Sequence, residues 1–368
     1  MSRRRLLSVC RGVPAWGDAN PWAYALHASL AEAGFEALLV SLLTDADAVY
    51  FRHLLGERCA DPYALGGVRG CRLGETADQR RAALGEIVDA FAPAVAVAWE
   101  VNPARLLRQA SAALPLVLVG TQCARLEQLI AGGAARDYLD FRAAVDRGVV
   151  FPVGRDHPEL AAIQACDLLV LPSALARTAQ EHLFPAHAGK MYGRTIAAAE
   201  PMLAEAGRFT DRRRPFAERE IDVTFVAGRW DVEARGLSLV ERLCARLPGR
   251  RVALAGECGV PSSATRLGVL TRDALFDLLG RSKVVVAPAL ADPAAGGLFA
   301  AAAMGCNVVA SPNCGPWELC ADALMVADPS PDAFVERIER ALAQPFPDHR
   351  QRFLDGGTAD LIETLAAL

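Results

Sequence analysis

This chain of 368 residues has no run of roughly 20 apolar residues, so nothing in it is long enough to span a bilayer as a helix. It has no CxxC pair and no cysteine–histidine spacing that would hold zinc. Its ten cysteines are scattered, and they read as small core residues of a reducing cytosol rather than a disulfide framework. A net charge of −4 is too mild to imply nucleic acid or an anionic membrane as partner. The basic start Arg3-Arg4-Arg5 has no signal-peptide core behind it, because Arg11 interrupts the short apolar run from Leu6 to Cys10. A cytoplasmic location is therefore expected. The G-x-G-x-x-G fingerprint of dinucleotide-binding loops is also missing.

What is present is a hydrophobic fraction of 52%, enough for a large core. At roughly 150 residues per domain, the length implies two domains. The pattern is a strand followed by a helix, repeated. Leu6–Cys10, Ala37–Leu42, Ala94–Ala98, Pro115–Val119 and Asp167–Leu171 read as strands, and a helix spans about 21–33. Such alternation predicts a parallel, doubly wound α/β sheet. Residues 50–80 carry no interpretable pattern. A second series follows at Ile221–Val226, Arg251–Ala255, Gly268–Leu270, Lys283–Ala287 and Asn307–Ala310. The expected architecture is two doubly wound Rossmann-like domains facing a central cleft. The first covers 1–205 and the second 221–349, with a linker at 206–220. A terminal helix in 350–368 is placed back on the first domain. Arg212-Arg213-Arg214 lie in the linker and read as a solvated run.

The most informative stretch runs from Lys283 to Leu319. A buried strand ends at Pro288, which cannot donate to a sheet ladder. A loop carrying Asp292 and the small residues Ala294-Ala295-Gly296-Gly297 leads into a helix from Leu298 to Met304, and Gly305 closes it. Free N–H groups at that helix start favour anions. In open α/β sheets, ligands bind beyond the carboxyl ends of the strands. On the first sheet that places Trp16, Gly17 and Asn20 after the first strand, Glu100 and Asn102 after the strand 94–98, and Thr121 after 115–119. The Gly17–Asn20 loop also reads as an ordinary turn with a helix cap. Asp45-Ala46-Asp47, although a D-x-D triplet, reads as a helix start.

These pieces resemble the GT-B glycosyltransferases, and among them the retaining family 4. Ala227-Gly228-Arg229 followed by Arg235-Gly236 is similar to that family's G-R…K-G pattern. Leu267-Gly268-Val269 is similar to its segment beside the nucleotide base. The Asp292 loop is similar to its E-x7-E region, and Gly315-Pro316-Trp317-Glu318-Leu319 to the turn after it. The resemblance implies transfer of a sugar, with retention and without metal, from a UDP- or GDP-sugar to a small-molecule or glycan acceptor, and no separate cofactor. It implies Arg229, Arg235 and Asp292 as the catalytic set. Gly17, Gly228, Val269, Ala295, Gly296, Gly297, Leu298 and Ala300 would line the donor site. Trp16, Asn20, Glu100, Asn102 and Thr121 would line the acceptor side. Two cations aimed at a departing diphosphate lower the barrier to breaking the glycosidic bond. The chain departs from the pattern in three places. The second glutamate is Ala300, the usual lysine is Arg235, and no histidine stands near Thr121. Unpaired ribose hydroxyls at Ala300 would cost about 1–3 kcal/mol of donor binding. The alternative expectation is therefore a binding protein of this fold without donor chemistry, or a same-fold enzyme with an unusual donor. The apolar faces of the first domain are compatible with docking on a membrane leaflet, although no basic amphipathic helix argues for it.

Overall fold

A computed structural model describes residues 4–11, 19–45, 49, 69–73, 76–195, 199–230, 232–257, 264–315, 329–345 and 357–368. Among them, seven parallel strands form the first sheet: β1 Arg5–Arg11, β2 Glu36–Thr44, β3 Arg69–Leu73, β4 Val95–Trp99, β5 Leu116–Val119, β6 Leu168–Leu171 and β7 Met191–Thr195. Their order is β3-β2-β1-β4-β5-β6-β7. Five further strands form the second sheet: β8 Ile221–Arg229, β9 Val252–Glu257, β10 Thr265–Gly268, β11 Ser282–Ala287 and β12 Asn307–Ala310. Their order is β10-β9-β8-β11-β12, again parallel. The direction of winding reverses between β1 and β4 in one sheet and between β8 and β11 in the other. The loops at these two switch points are the places where a ligand meets the carboxyl edge.

The strands are apolar on both faces because helices cover both. All five residues of β4 are buried. Within this core Trp99 donates its indole N–H to Ser8 Oγ at 2.8 Å, and its ring meets Trp22 edge-on at 5.2 Å. Trp22 comes from helix Ala19–Glu32, which packs on helix Ala199–Gly207. The 199–207 helix packs in turn on helix Gly296–Ala303 of the second domain. One apolar cluster therefore runs continuously from Leu6 and Val97 through Met202 to Phe299 and Ala301. The small residues of the 296–303 helix, Gly296, Gly297 and Ala300 to Ala303, permit this close approach, so the domains share core as well as a cleft.

Four expectations need correction. The first sheet has two more strands than the five read from the sequence, β3 and β7. Their residues, RGCRL and MYGRT, are too polar and glycine-bearing to stand out as strands, which suits an edge position. The strand placed at 268–270 is β10, three residues earlier. Val269 and Leu270 are instead buried, leading into the Thr271 cap of helix Arg272–Gly280. The helix after Asp292 begins at Gly296 rather than Leu298. The arginine run is not merely solvated. Arg212 stacks on Phe209 at 4.8 Å and donates to the Asp273 carbonyl, and the Arg214 N–H donates to the Gly280 carbonyl. Arg219, just beyond, is 2% exposed and donates to the carbonyls of Ser282 and Met304. Helix C-terminal carbonyls such as those of Gly280 and Met304 attract donors, and this pins the connection to the second domain.

Helix Thr358–Ala367 is tied to the first sheet. Arg194 pairs with Asp360, the Thr364 hydroxyl meets Tyr192 at 3.3 Å, and Arg4 donates to the Ala366 carbonyl. Residues 350–356, Trp16, Gly17, Ala46, Asp47 and the Pro316–Leu319 turn lie outside the described residues.

Candidate functional site at the facing carboxyl edges

On the second domain the site is built by two loops stitched together. After β8 the chain makes a short 3-10 turn, Glu233–Arg235, and enters helix Leu237–Ala245 through Gly236. Gly236 adopts φ +77°, and a Cβ there would run into the Pro288 carbonyl oxygen, so only glycine fits. The Ala234 carbonyl accepts the N–H groups of Leu290 and Ala291 at 2.8 and 3.1 Å. This seats the loop after β11 on the turn after β8 and brings Asp292 to Arg235. Their Nη1–Oδ1 distance is 2.8 Å, and both side chains are nearly buried. Asp292 Oδ1 also accepts the Ala295 N–H at 3.0 Å. That turn holds Ala295 at φ +40°, a left-handed conformation that costs a non-glycine residue about 1 kcal/mol or more.

Arg235 has a second carboxylate partner from the other domain. Its Nη2 lies 3.8 Å from Oε1 of Glu127, on helix Ala124–Ala131. Glu127, Arg235 and Asp292 thus form an ion triad across the domain boundary. Around it, the Tyr138 N–H donates to Leu290 O at 3.0 Å, Ser173 Oγ donates to Pro293 O at 2.6 Å, and the Leu139 N–H donates to Asn313 Oδ1 at 3.2 Å. Arg229, at the end of β8, is exposed. The two arginines expected to act together therefore differ in setting: one faces solvent, and the other is 5% exposed between two carboxylates.

On the first domain, Glu100 leaves β4 at φ +74°, a strained conformation for a side chain of its size. Its carboxylate accepts the Thr121 N–H at 2.8 Å and the Thr121 hydroxyl. Thr121 is fully buried, so it orients Glu100 instead of lining the groove. Asn102 is exposed in the first turn of helix Val101–Ala110. Asn20 falls within helix Ala19–Glu32, but its side chain lies outside the described residues.

The first domain presents acid here. Glu159 caps the 124–131 helix, accepting the Arg125 N–H at 2.9 Å, and Gln180 Nε2 lies 2.5 Å from its other oxygen. Burial drives its carboxyl up to about 7. The neighbouring Cys123 thiol is pushed well up by burial first, and then by the carboxylates of Glu159, Glu127 and Glu100.

The donor-lining expectations divide. Gly228 and Gly297 are half-buried and accessible. Val269, Ala295, Leu298 and Ala300 are corrected to core positions, at 1%, 3%, 7% and 0% exposure, and Gly296 is buried with them. Ala300 faces the apolar cluster shared with the 199–207 helix, where a glutamate would be buried without a partner. Sequence reasoning missed Glu127. No local pattern marks a residue whose role depends on an arginine in the other domain. Among the described residues, no group of three His, Cys, Asp or Glu side chains could hold a metal ion, and no helix is long and apolar enough to cross a membrane.

Residues 243–344 match the family model described as "Glycosyl transferases group 1". Comparison with curated protein sequences finds no match. Among solved structures the chain is similar to sucrose-phosphate synthase from Thermosynechococcus elongatus, at 16% identity and TM-score 0.66, covering 99% of this chain and 98% of that one. It is also similar to HepE from Anabaena in complex with UDP-glucose, at 14% identity and TM-score 0.59, covering 99% and 100%. A third is UDP-GlcNAc 2-epimerase from Methanocaldococcus jannaschii, at 9% identity and TM-score 0.52, covering 98% and 99%. Two Rossmann-like domains in the GT-B arrangement, with a glycosyl transferases group 1 match over residues 243–344, are therefore what this chain folds into and carries.

Proposed function

We propose that the protein is a retaining, metal-independent glycosyltransferase that moves a sugar from a nucleotide diphosphate donor to a small-molecule or glycan acceptor. The observation that carries this reading is the position of Arg235. It sits at the β8/β11 switch point, fixed by Asp292 and reached by Glu127 from the opposite domain. A preoriented guanidinium costs little reorganisation when a diphosphate gains charge. Arg229 supplies a second, solvent-facing cation on the same edge. In the reaction the bond from the anomeric carbon to the phosphate oxygen breaks. The acceptor oxygen bonds to that carbon on the same face, and its proton passes to the leaving phosphate. Glu127 gives way to the diphosphate as the stronger anion, and Asp292 keeps the fork aimed. The family 4 resemblance, the glycosyl transferases group 1 match over residues 243–344 and the UDP-glucose bound to the similar HepE support the same class.

The test is nucleotide release from a panel of sugar nucleotides. Arg229→Ala and Arg235→Ala should each lower it by at least tenfold, and unchanged release in both variants would sink the assignment. A second reading is favoured by one observation. The charge of Arg235 is already matched by two carboxylates, and Ala300 supplies none for a ribose. A binding protein of this fold, without donor chemistry, fits that arrangement. Calorimetry decides between the two: no binding of UDP or GDP at millimolar concentration selects the second.

A further inference from the structure

The two domains meet along two flanks of different chemistry. On one, helices 199–207 and 296–303 share apolar core. On the other, beside Arg235, the seam is largely polar. Asn313, fully buried in the loop after β12, bridges it. Its Oδ1 accepts the Leu139 N–H at 3.2 Å, and its Nδ2 donates to Asp137 Oδ2 at 3.4 Å. Its own carbonyl accepts the Asp292 N–H at 3.0 Å, so the same residue holds the loop that fixes Arg235. Tyr138 and Leu139 open helix Tyr138–Asp146, where N–H groups have no partner within the helix. Both are satisfied from the second domain, Tyr138 by the Leu290 carbonyl at 3.0 Å. Ser173 Oγ donates to the Pro293 carbonyl, and a Cβ on Gly315 would collide with that hydroxyl, so the backbones approach closely.

This seam encloses Arg235, which is 5% exposed and reached by Glu127 from across it. A diphosphate has no path to that guanidinium while the seam is shut. The two flanks resist parting unequally. Hydrogen bonds lost on opening are largely replaced by water, whereas apolar surface is exposed outright. The buried side chains that the second domain sets into the first domain's core here are Ala234 and Ala291, both small. We infer that the seam is a gate over Arg235, latched by Asn313 on Asp137 and Leu139, and that it opens about the apolar flank to admit a diphosphate. Resting on the transferase reading above, that diphosphate belongs to the nucleotide donor. Asn313 is then a positioning residue, because it ties closure of the domains to the Asp292 loop and so to the aim of Arg235.

Amide hydrogen exchange on the full chain reads the gate directly. The Tyr138 and Leu139 N–H groups need only the seam to open, so they should exchange at least tenfold faster than the amides of β4. Asn313→Asp sets a second carboxylate against Asp137. It should speed exchange at both amides about tenfold further, leave β4 unchanged, and tighten binding of pyrophosphate and of UDP several-fold by calorimetry. Adding Asp137→Asn restores an amide–carboxylate pair with donor and acceptor exchanged, and should return both readouts toward the parent. In the parent, saturating pyrophosphate should itself speed exchange at Tyr138 and Leu139, a result that needs no variant to fold. Four results would each overturn the inference: protection at these two amides equal to that of β4, no response of either to pyrophosphate, unchanged or weaker pyrophosphate binding in Asn313→Asp, or no reversal in the double variant. Pyrophosphate binding that tightens as expected while UDP binds to none of the proteins supports the gate and fails the donor reading, so the two claims separate.

Discussion

Glu159 offers a prediction whose size can be worked out. It is 3% exposed and its carboxyl is raised from 4.5 to about 7, chiefly because burial disfavours the anion. The Arg125 N–H and the Gln180 amide oppose that rise without cancelling it. Between the two values the folded protein holds a proton that the unfolded chain has released. Stability from this residue is therefore greatest below about pH 4.5, falls as pH rises toward 7, and is flat above. A rise of this size corresponds to about 3 kcal/mol. Gln180 Oε1 is buried without a partner among the described residues. Turning that amide would let a protonated Glu159 donate to it, which agrees with a neutral carboxyl near pH 6. Glu159→Gln keeps the shape, lets its amide N–H meet the turned Gln180, and removes the titration. Denaturant unfolding of both proteins at pH 4.5, 6 and 8 isolates the term, because every other group is shared. The stability gap should shift by about 3 kcal/mol toward the variant from pH 4.5 to 8. A gap that does not change with pH would refute the reasoning. The consequence reaches the site, because Glu159 caps the helix that carries Glu127.

Arg235→Ala should destabilise the fold by about 3–5 kcal/mol, since it leaves two nearly buried carboxylates facing each other, and chemical denaturation would measure this. Glu127→Gln should tighten UDP binding several-fold by removing the competing anion, and calorimetry showing weaker binding would contradict the triad's proposed role. Gly236→Ala should cost at least about 2 kcal/mol, from its positive φ and the Pro288 carbonyl in its way, and a thermal melt would read the loss. Thr121→Val removes one of two hydrogen bonds to Glu100, so the KM for acceptor should rise while donor binding holds; an equal change in both would count against a positioning role.

Much of the frame was legible because it is local. Helix Pro331–Ala343 is bounded by its own Ser330 cap and a proline in its first turn, and helix Arg272–Gly280 by its Thr271 cap. The apolar runs at Val284–Val286 and Leu168–Leu171 announce buried parallel strands whatever surrounds them. The edge strands β3 and β7 were not legible, because an edge needs backbone pairing more than apolar side chains. The fate of the arginine run was hidden as well, since the carbonyls that hold it come from helices that end far along the chain.

The sequence by itself determined two βαβ series, their loops at the carboxyl edges, and the residue types that chemistry would use there. These follow from periodicity and caps, which depend on near neighbours. Tertiary structure alone decided which way each of those residues faces. Packing of the 296–303 helix turned Ala300 into core, and approach of the two domains gave Arg235 a second carboxylate. The same approach set Asn313 against Asp137 and Leu139. Contacts between residues distant in the chain exist only once the sheets are wound, and no local pattern encodes them.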